Sequence, residues 1–471
     1  MSTPLKYLVL VPDGVGIRNF FCTRFIDHLL ETGTVCVWHD LPDACLMPFQ
    51  ARWNGQVRWE SLPPIRDGYA ERLFRQSKVY AQLFWQMKQG PDIQLKFMRP
   101  SQRWTTRVMA GAGKTLGRVC ASPRGVVRLD QMHRRAAASA GHMAAYEAFL
   151  REQKPDVVFC AHQRALKAVP ALLAARRLGI PTATFIYSWD NLPKGRMPVH
   201  ADYYFVWSEF MKKELLGYYP DVSADRVRIV GTPQFENYFN EQLFEPREAF
   251  LAKYNLDPAR PVVCFSGDDR VTSPHDAIYL TDLAEALRQF PAAERPQILF
   301  RRCPVDRSNR YDDVLRRHPE IAISNPLWHS HVTDEWSQIV PTQDDVKLLV
   351  NVARHSDLVV NVGSTMAMDF AIYDKPAIYI CYNPAGVPSR WDIHLAYQLP
   401  HYATVHSLQP VYWARSPQEL PGLVRQVLHA PAEKAAERRA WLALQVAQPL
   451  DRASVRCSQA LQHLATGHRR H

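Results

Sequence analysis

Ser356–Pro376 reads SDLVVNVGSTMAMDFAIYDKP, and the fold is decided there. Leu358–Val362 is an apolar run with strand character, Gly363-Ser364-Thr365 is a turn of small and hydroxyl residues, and a helical pattern follows from Met366. A strand that delivers hydroxyls to a helix start gathers unpaired N–H groups and O–H donors around one point, an arrangement suited to an anion. A diphosphate is the inferred ligand. Ser364 and Thr365 either donate to it or simply cap the helix. Asp369 lies one turn further on a helix otherwise apolar at Met366, Ala367, Met368 and Phe370. An unpaired carboxylate there is costly, so Asp369 is read as an acceptor for ribose or sugar hydroxyls.

Outward from that stretch, short apolar runs alternate with longer helical patterns, which implies parallel sheets covered by helices. One set of strands is expected near Tyr7–Val11, Val35–Trp38, Val157–Cys160, Thr182–Tyr187, Tyr203–Trp207 and Val227–Val230. A second begins at Pro261–Gly267 and continues through Gln297–Arg301, Ile321–Ser324, Leu358–Val362 and Ala377–Cys381. The fold class is therefore α/β, with two doubly wound Rossmann-like domains, 1–245 and 246–471. They are expected to face each other across a cleft, with the last forty residues helical and disorder limited to Gly467–His471.

With 471 residues, 47% hydrophobic and 22% charged, the chain has material for two cores, and no run of about 18 apolar residues offers a membrane span. Leu5–Val11 is short and leads into a glycine turn, so it reads as a first strand rather than a signal peptide. Nine scattered cysteines without a CxxC pair point to reduced thiols and a cytoplasmic location.

The net charge of +11 is concentrated. Lys96, Arg99, Arg103, Arg107, Lys114, Arg118, Arg124, Arg128, Arg134 and Arg135 stand against the single acid Asp130, with Phe97 and Trp104 interleaved. Segment 96–135 suits an anionic membrane surface, a phosphorylated acceptor or nucleic acid, or is a solvated helical face. Within it, Gly111-Ala112-Gly113-Lys114-Thr115 imitates the end of a phosphate-binding P-loop. It lacks the earlier glycine and the preceding apolar strand, so that reading is rejected.

Ligands of doubly wound sheets bind at the carboxyl ends of strands, which directs attention to four loops: Asp13–Asn19, Ser188–Lys194, Gly267–Ser273 and Arg301–Asp306. Gly267 permits close backbone approach, Asp268 belongs to the same turn, and Arg270 supplies positive charge. Arg301 at a strand end can grip a diphosphate in bidentate fashion. Asp268-Asp269 is not a spaced metal-binding pair, and no metal is assigned.

These residues bring a family into view. The architecture resembles the GT-B glycosyltransferases, and Ser364–Phe370 followed by Lys375-Pro376 is similar to the SSxxxD(F/Y)...KP signature of bacterial CDP-glycerol glycerophosphotransferases. Ser188-Trp189-Asp190-Asn191-Leu192-Pro193-Lys194 is similar to their WHGTPLK element, Arg301-Arg302-Cys303-Pro304 to RxHP, and Asp451–Arg456 to DGxASxR. Two histidines of that family stand here as Asp190 and Cys303. The SWDN loop and Val230-Gly231-Thr232-Pro233 look more like surface-carbohydrate biosynthesis proteins of the same superfamily. The resemblance covers most of 150–460.

The resemblance implies a glycosyltransferase moving a sugar from a nucleotide-diphosphate donor to a hydroxyl of a surface polysaccharide or lipid-linked acceptor, with inversion and without a metal or other cofactor. Joined to the cysteine reading and to the basic segment 96–135, it leads to the expectation of a cytoplasmic enzyme, peripheral to the membrane. Such transfer needs one base on the first-domain side, and Asp13 and Asp190 are the two candidates. Each is equally readable as a turn residue. Asn19, His162, Trp189 and Asn191 are candidate acceptor contacts, Trp189 through stacking. Gly267, Asp268, Arg270, Arg301, Gly363, Ser364, Thr365 and Asp369 are the candidate donor contacts. The alternatives are a polyol-phosphate transferase, a nonhydrolysing sugar epimerase, or a nucleic-acid-binding protein.

Overall fold

The structure, a computed structural model, describes residues 4–89, 104–329, 339–387 and 391–469. The chain divides into two compact units: Met1–Glu236 with His331–Val340 and Gln445–His471, and Asn237–Ser330 with Pro341–Leu444.

The first unit holds a seven-stranded, all-parallel sheet. Its strands are β1 (Leu5–Val11), β2 (Gly33–His39), β3 (Val57–Ser61), β4 (Val157–Cys160), β5 (Thr182–Phe185), β6 (Tyr203–Val206) and β7 (Val227–Ile229), in the order β3-β2-β1-β4-β5-β6-β7. Val9 is in register with Val37 on one side and Phe159 on the other. β4 and β5 are buried at every residue; β4 reads as a continuous apolar run, while β5 alternates threonines with apolar residues. On one face Leu8, Leu10, Trp38, Tyr146 and Leu172 belong to a single core. Elsewhere in the unit, Phe20 makes edge contacts with Phe25, Phe159 and Phe185.

Between β3 and β4 the helices Tyr69–Gln89, Trp104–Val119 and Pro123–Ala138 pack together. The P-loop imitation lies inside the second of these. Gly113 and Gly117 allow it to approach the first helix closely: a Cβ on Gly117 would fall 2.6 Å from that of Tyr80. Of the basic segment, Lys96, Phe97, Arg99 and Arg103 lie outside the described residues, and the rest is carried by the second and third helices. Trp104 there is 74% exposed.

The second unit holds a six-stranded parallel sheet in the order β10-β9-β8-β11-β12-β13. Its strands are β8 (Val262–Ser266), β9 (Gln297–Arg301), β10 (Ala322–Ser324), β11 (Leu358–Asn361), β12 (Ala377–Ile380) and β13 (Tyr412–Ala414). Every strand expected from the sequence is present. β3 and β13 are additional, and both are edge strands.

The domain boundary differs from the expected one. The first unit ends at Glu236 rather than near 245, and the carboxyl terminus rejoins it. The final forty residues are helical, as expected, in two helices, Ala435–Gln445 and Ala453–Arg469. After the first, the Ala447 amide bonds the Trp207 carbonyl at 2.8 Å, drawing the chain back. Glu236 then accepts from the amide and hydroxyl of Ser454, and Arg456 Nε donates to the Val230 carbonyl at 2.9 Å. The motif Asp451–Arg456 is thus a latch on the loop after β7. The second helix persists through Arg469, beyond the expected onset of disorder, and 470–471 lie outside the described residues.

Candidate functional site

Both sheets reverse their winding once, between β1 and β4 in the first unit and between β8 and β11 in the second, and the loops leaving such strands are where doubly wound sheets generally hold ligands. In the first unit these loops touch. A Cβ on Gly16 would lie 2.6 Å from Ala161 Cβ, so the glycine permits the approach. Asp13 caps the short turn Gly14–Gly16, its Oδ1 accepting from the Val15 amide at 3.1 Å. Its Oδ2 meets His162 Nδ1 at 2.7 Å, and both side chains are buried. The turn reading and the chemical reading of Asp13 therefore coexist on its two oxygens. Asn19, expected at the acceptor, is fully buried instead. Its Oδ1 accepts from Thr232 Oγ1 at 3.1 Å and the Gln234 amide at 2.9 Å, tying the β1 loop to the β7 loop.

Beside this pair, Gln163 Nε2 donates to Asn191 Oδ1 at 2.7 Å while its Oε1 accepts from the Tyr187 amide at 3.0 Å. Asn191 Nδ2 in turn donates to Asp190 Oδ1 at 3.1 Å, and Lys194 forms an ion pair with the other oxygen of Asp190. Asp190 is thus held by a cation one turn away. Trp189 is only 4% exposed, which corrects its expected role as a stacking platform: the indole is part of the core. Sequence reasoning missed Glu214, on the helix Glu209–Tyr218. Burial pushes its carboxyl up to about 8, and the charge of Asp190 adds to the effect.

In the second unit β8 ends at Ser266, and a Cβ on Gly267 would stand 2.8 Å from Tyr311 Oη. Behind this turn Asp276 accepts from the Asp268 amide at 2.5 Å, from Tyr311 Oη at 3.1 Å and from Ser273 Oγ. Burial raises its carboxyl to about 6, opposed by Arg310 and these hydrogen bonds. Arg310 gathers the loop: Nε pairs with Asp306 at 2.6 Å, and the terminal nitrogens donate to the carbonyls of Asp268 and Ser273, each at 2.5 Å. Neither Arg310 nor Asp276 was singled out from sequence, although Asp306 and Arg310 stand four residues apart. Arg270 is exposed. Asp269 closes its own turn on Val271 and Thr272.

At the end of β11, Asn361 Oδ1 accepts from the Ser364 amide at 3.1 Å, and Tyr402 Oη donates to the Gly363 carbonyl at 3.0 Å. Gly363 has φ +66°, and a Cβ there would fall 2.3 Å from Tyr402 Oη, so this turn requires glycine. Ser364 and Thr365 are half-buried, and the Ser364 hydroxyl accepts from the Met366 amide at 3.4 Å. The helix they introduce, Met366–Ile372, has seven residues.

Two expected donor contacts are corrected. Asp369 is 2% exposed and accepts from Tyr238 Oη at 2.7 Å, so its carboxylate is satisfied inside the unit rather than offered to a ribose. Arg301 is equally buried. Its Nη2 pairs with Asp345 Oδ1 at 2.6 Å, and Asp345 also accepts from the Leu327 amide and Trp328 Nε1, a knot that fixes the β9 end. Lys375 of the motif donates to the Arg354 and Ser356 carbonyls, at the end of the helix Gln343–His355. Among the described residues, no group of three or more His, Cys, Asp and Glu side chains is gathered to hold a metal ion.

No family model and no curated protein matches this sequence. Solved structures do match it over nearly its whole length. A UDP-GlcNAc 2-epimerase from Neisseria meningitidis bound to UDP-GlcNAc is 11% identical, with 98% of this chain and 100% of that one covered and a TM-score of 0.52. A glycosyltransferase from Rickettsia africae is 11% identical over 98% and 99%, TM-score 0.53, and the wall teichoic acid polymerase TagF is 11% identical over 100% and 91%, TM-score 0.51. The chain has the GT-B fold. At 11% identity the GT-B likeness carries architecture alone, and the reaction must be argued from the loops. Among the described residues, no helix is long and apolar enough to cross a membrane.

Proposed function

We propose that this GT-B chain is an enzyme acting on a nucleotide-diphosphate sugar, and that it transfers the sugar to a hydroxyl acceptor. The carrying observation is the 2.7 Å Asp13–His162 pair at the winding reversal of the first sheet. A carboxylate on one ring nitrogen orients an imidazole and stabilises its cationic form, which suits removal of a proton from an attacking hydroxyl. Asp13 is proposed to act through His162, with Asp190, neutralised by Lys194, in a supporting position.

In the second unit the Gly267–Asp268 and Gly363–Thr365 turns are proposed to receive the donor. The Ser364 and Thr365 hydroxyls and Arg270 supply donors and charge to the departing diphosphate. Arg310 and Arg301 shape these turns from behind. The leaving group then needs no divalent ion, and EDTA is expected to leave the rate unchanged. Docking at an anionic membrane surface through the helices of 104–135, with exposed Trp104 beside Arg107, is part of the same proposal.

A second reading is favoured by the full-length likeness to 2-epimerases: rearrangement of the sugar on its nucleotide without an acceptor. One experiment separates the two. UDP-, GDP- and CDP-linked sugars and CDP-glycerol are incubated with the protein in D2O, with and without saccharide acceptors. Acceptor-dependent release of nucleoside diphosphate supports transfer, and acceptor-independent deuterium entry into the sugar supports epimerisation. CMP release from CDP-glycerol would assign a polyol-phosphate transferase, and no turnover of any donor would remove the proposal.

A further inference from the structure

The strand β5 ends at Phe185, and the residues that leave it divide by accessibility. Phe185, Ile186 and Trp189 are buried, whereas Tyr187 is half-buried. The aromatic side chain that this loop leaves partly accessible therefore lies two positions before the tryptophan expected to stack on a sugar. Its backbone is fixed. The Tyr187 amide donates to Gln163 Oε1 at 3.0 Å, and the same glutamine holds Asn191 at 2.7 Å, so the loops after β4 and β5 are joined at this residue.

The Tyr187 ring makes an edge contact with His162, the centroids 5.8 Å apart and the planes at 63°. Its hydroxyl makes no hydrogen bond among the described residues, and it is not one of the unpaired side-chain atoms sealed from solvent. Burial raises the phenol above its ordinary range, the charge of Arg18 opposing and those of Asp13 and Asp190 adding to the effect, so the group is a neutral donor within the field of both acids of the site. Tyrosine suits places where its ring meets apolar surface and its hydroxyl a polar partner. Here the protein supplies a neighbour for the ring and none for the hydroxyl.

We propose that Tyr187 is an acceptor-binding residue and that the acceptor end it receives is a saccharide ring, its apolar face packed on the phenol, one hydroxyl accepting from Tyr187 Oη and a neighbouring one directed at His162. A saccharide fits both halves of this side chain. The C–H groups of one ring face meet an aromatic surface, and the hydroxyls around the rim accept from a phenol. Glycerol offers the hydroxyls without the face. The contact between Tyr187 and His162 sets a sugar packed on the phenol beside the group proposed to take its proton, which is the orientation an attacking hydroxyl needs. Resting on the transfer reading, the proposal narrows the acceptor from any hydroxyl to a sugar hydroxyl.

Saturation-transfer difference NMR of the full chain with the methyl glycosides of glucose, galactose, mannose and N-acetylglucosamine, and with glycerol, tests binding without turnover. At least one glycoside is expected to bind, with saturation strongest at its ring C–H protons, and glycerol is not. Tyr187→Phe, which removes the hydroxyl and keeps the packing, should raise the dissociation constant of that glycoside by about threefold to tenfold. Tyr187→Leu, which removes the ring as well, should raise it by about tenfold or more, with urea midpoints of both variants recorded alongside. Where a donor turns over, Tyr187→Phe should raise KM for the glycoside and leave KM for the donor unchanged. No glycoside bound, glycoside binding unmoved by Tyr187→Phe, or Tyr187-dependent binding of glycerol in place of glycosides overturns the proposal. Nucleoside diphosphate release on the same preparations is a separate readout: Tyr187-dependent glycoside binding with no acceptor-dependent release supports the sugar subsite and removes the transfer reading alone.

Discussion

At the winding reversal of the first sheet the chain presents a buried acid and an imidazole joined at 2.7 Å, and at the reversal of the second it presents two glycine turns and a pair of hydroxyls. The strand orders on either side of each reversal are equivalent, three strands outward in one direction and at least three in the other. The charges differ in placement. In the first unit Asp13 and His162 stand in the loops that leave the strands. In the second, Arg301, Arg310, Asp276 and Asp345 lie behind the turns, paired with one another, and hold backbone in position. One topology therefore carries a buried acid–imidazole pair, proposed to handle the proton, in one copy and, in the other, internally braced turns whose hydroxyls, with exposed Arg270, are proposed to face the donor.

The comparison breaks most visibly if His162 is dispensable. His162→Ala is expected to lower kcat by about a hundred- to ten-thousand-fold, the range for general acid–base groups, and to lower the thermal midpoint as well, because buried Asp13 loses a partner. Steady-state kinetics on whichever donor turns over, alongside a melting curve, checks it. In the second unit the large effect should fall on stability. Arg310→Ala leaves Asp276 and Asp306 without their buried cation and is expected to cost about 3–5 kcal/mol in urea unfolding. Smaller, and specific to the hydroxyl turn, Gly363→Ala forces a side chain into the left-handed region against Tyr402. A loss of about 1–3 kcal/mol is expected by the same measurement.

A further effect is one of pH, and it belongs to the first unit. Glu214 titrates near 4.5 unfolded and about 8 folded, so the folded chain retains a proton that the unfolded chain has released. Stability from this group is complete below the unfolded value and is lost as pH rises through about 8. Glu214→Gln keeps the shape without the charge. Urea midpoints of variant and parent should coincide near about pH 4 and separate, the variant higher, by about pH 9.

The fold was legible in the sequence wherever strands were buried on both faces. β4 is an unbroken apolar run, β8 and β11 are apolar up to a polar last residue, and all three were found within a residue or two. β3 escaped notice because Arg58 and Glu60 interrupt an edge strand, and β13 because it has three residues. The return of the last helix to the first unit was hidden for a different reason. Its latch joins Glu236 to Ser454, a contact across 218 positions that no local pattern encodes.

The site was legible at the level of loops and less so at the level of side chains. Asp13 and His162 were both singled out, but assigned to separate tasks, since only the fold brings residues 149 apart into contact. Asp369 and Arg301 carried the right chemistry in the right place along the chain, yet each found an internal partner, Tyr238 and Asp345, far away in sequence. Polar residues at strand ends signal that something is held there, and they leave open whether it is a ligand or the protein itself.

The division of labour between the two units is tested most directly by Asp13→Asn, with donor binding measured by calorimetry and turnover measured on the same preparation. The expected result is an unchanged dissociation constant for the nucleotide-diphosphate sugar with kcat reduced at least about a hundredfold. Full turnover in this variant, or lost donor binding with kcat intact, would contradict a first unit that handles the proton and a second that holds the donor.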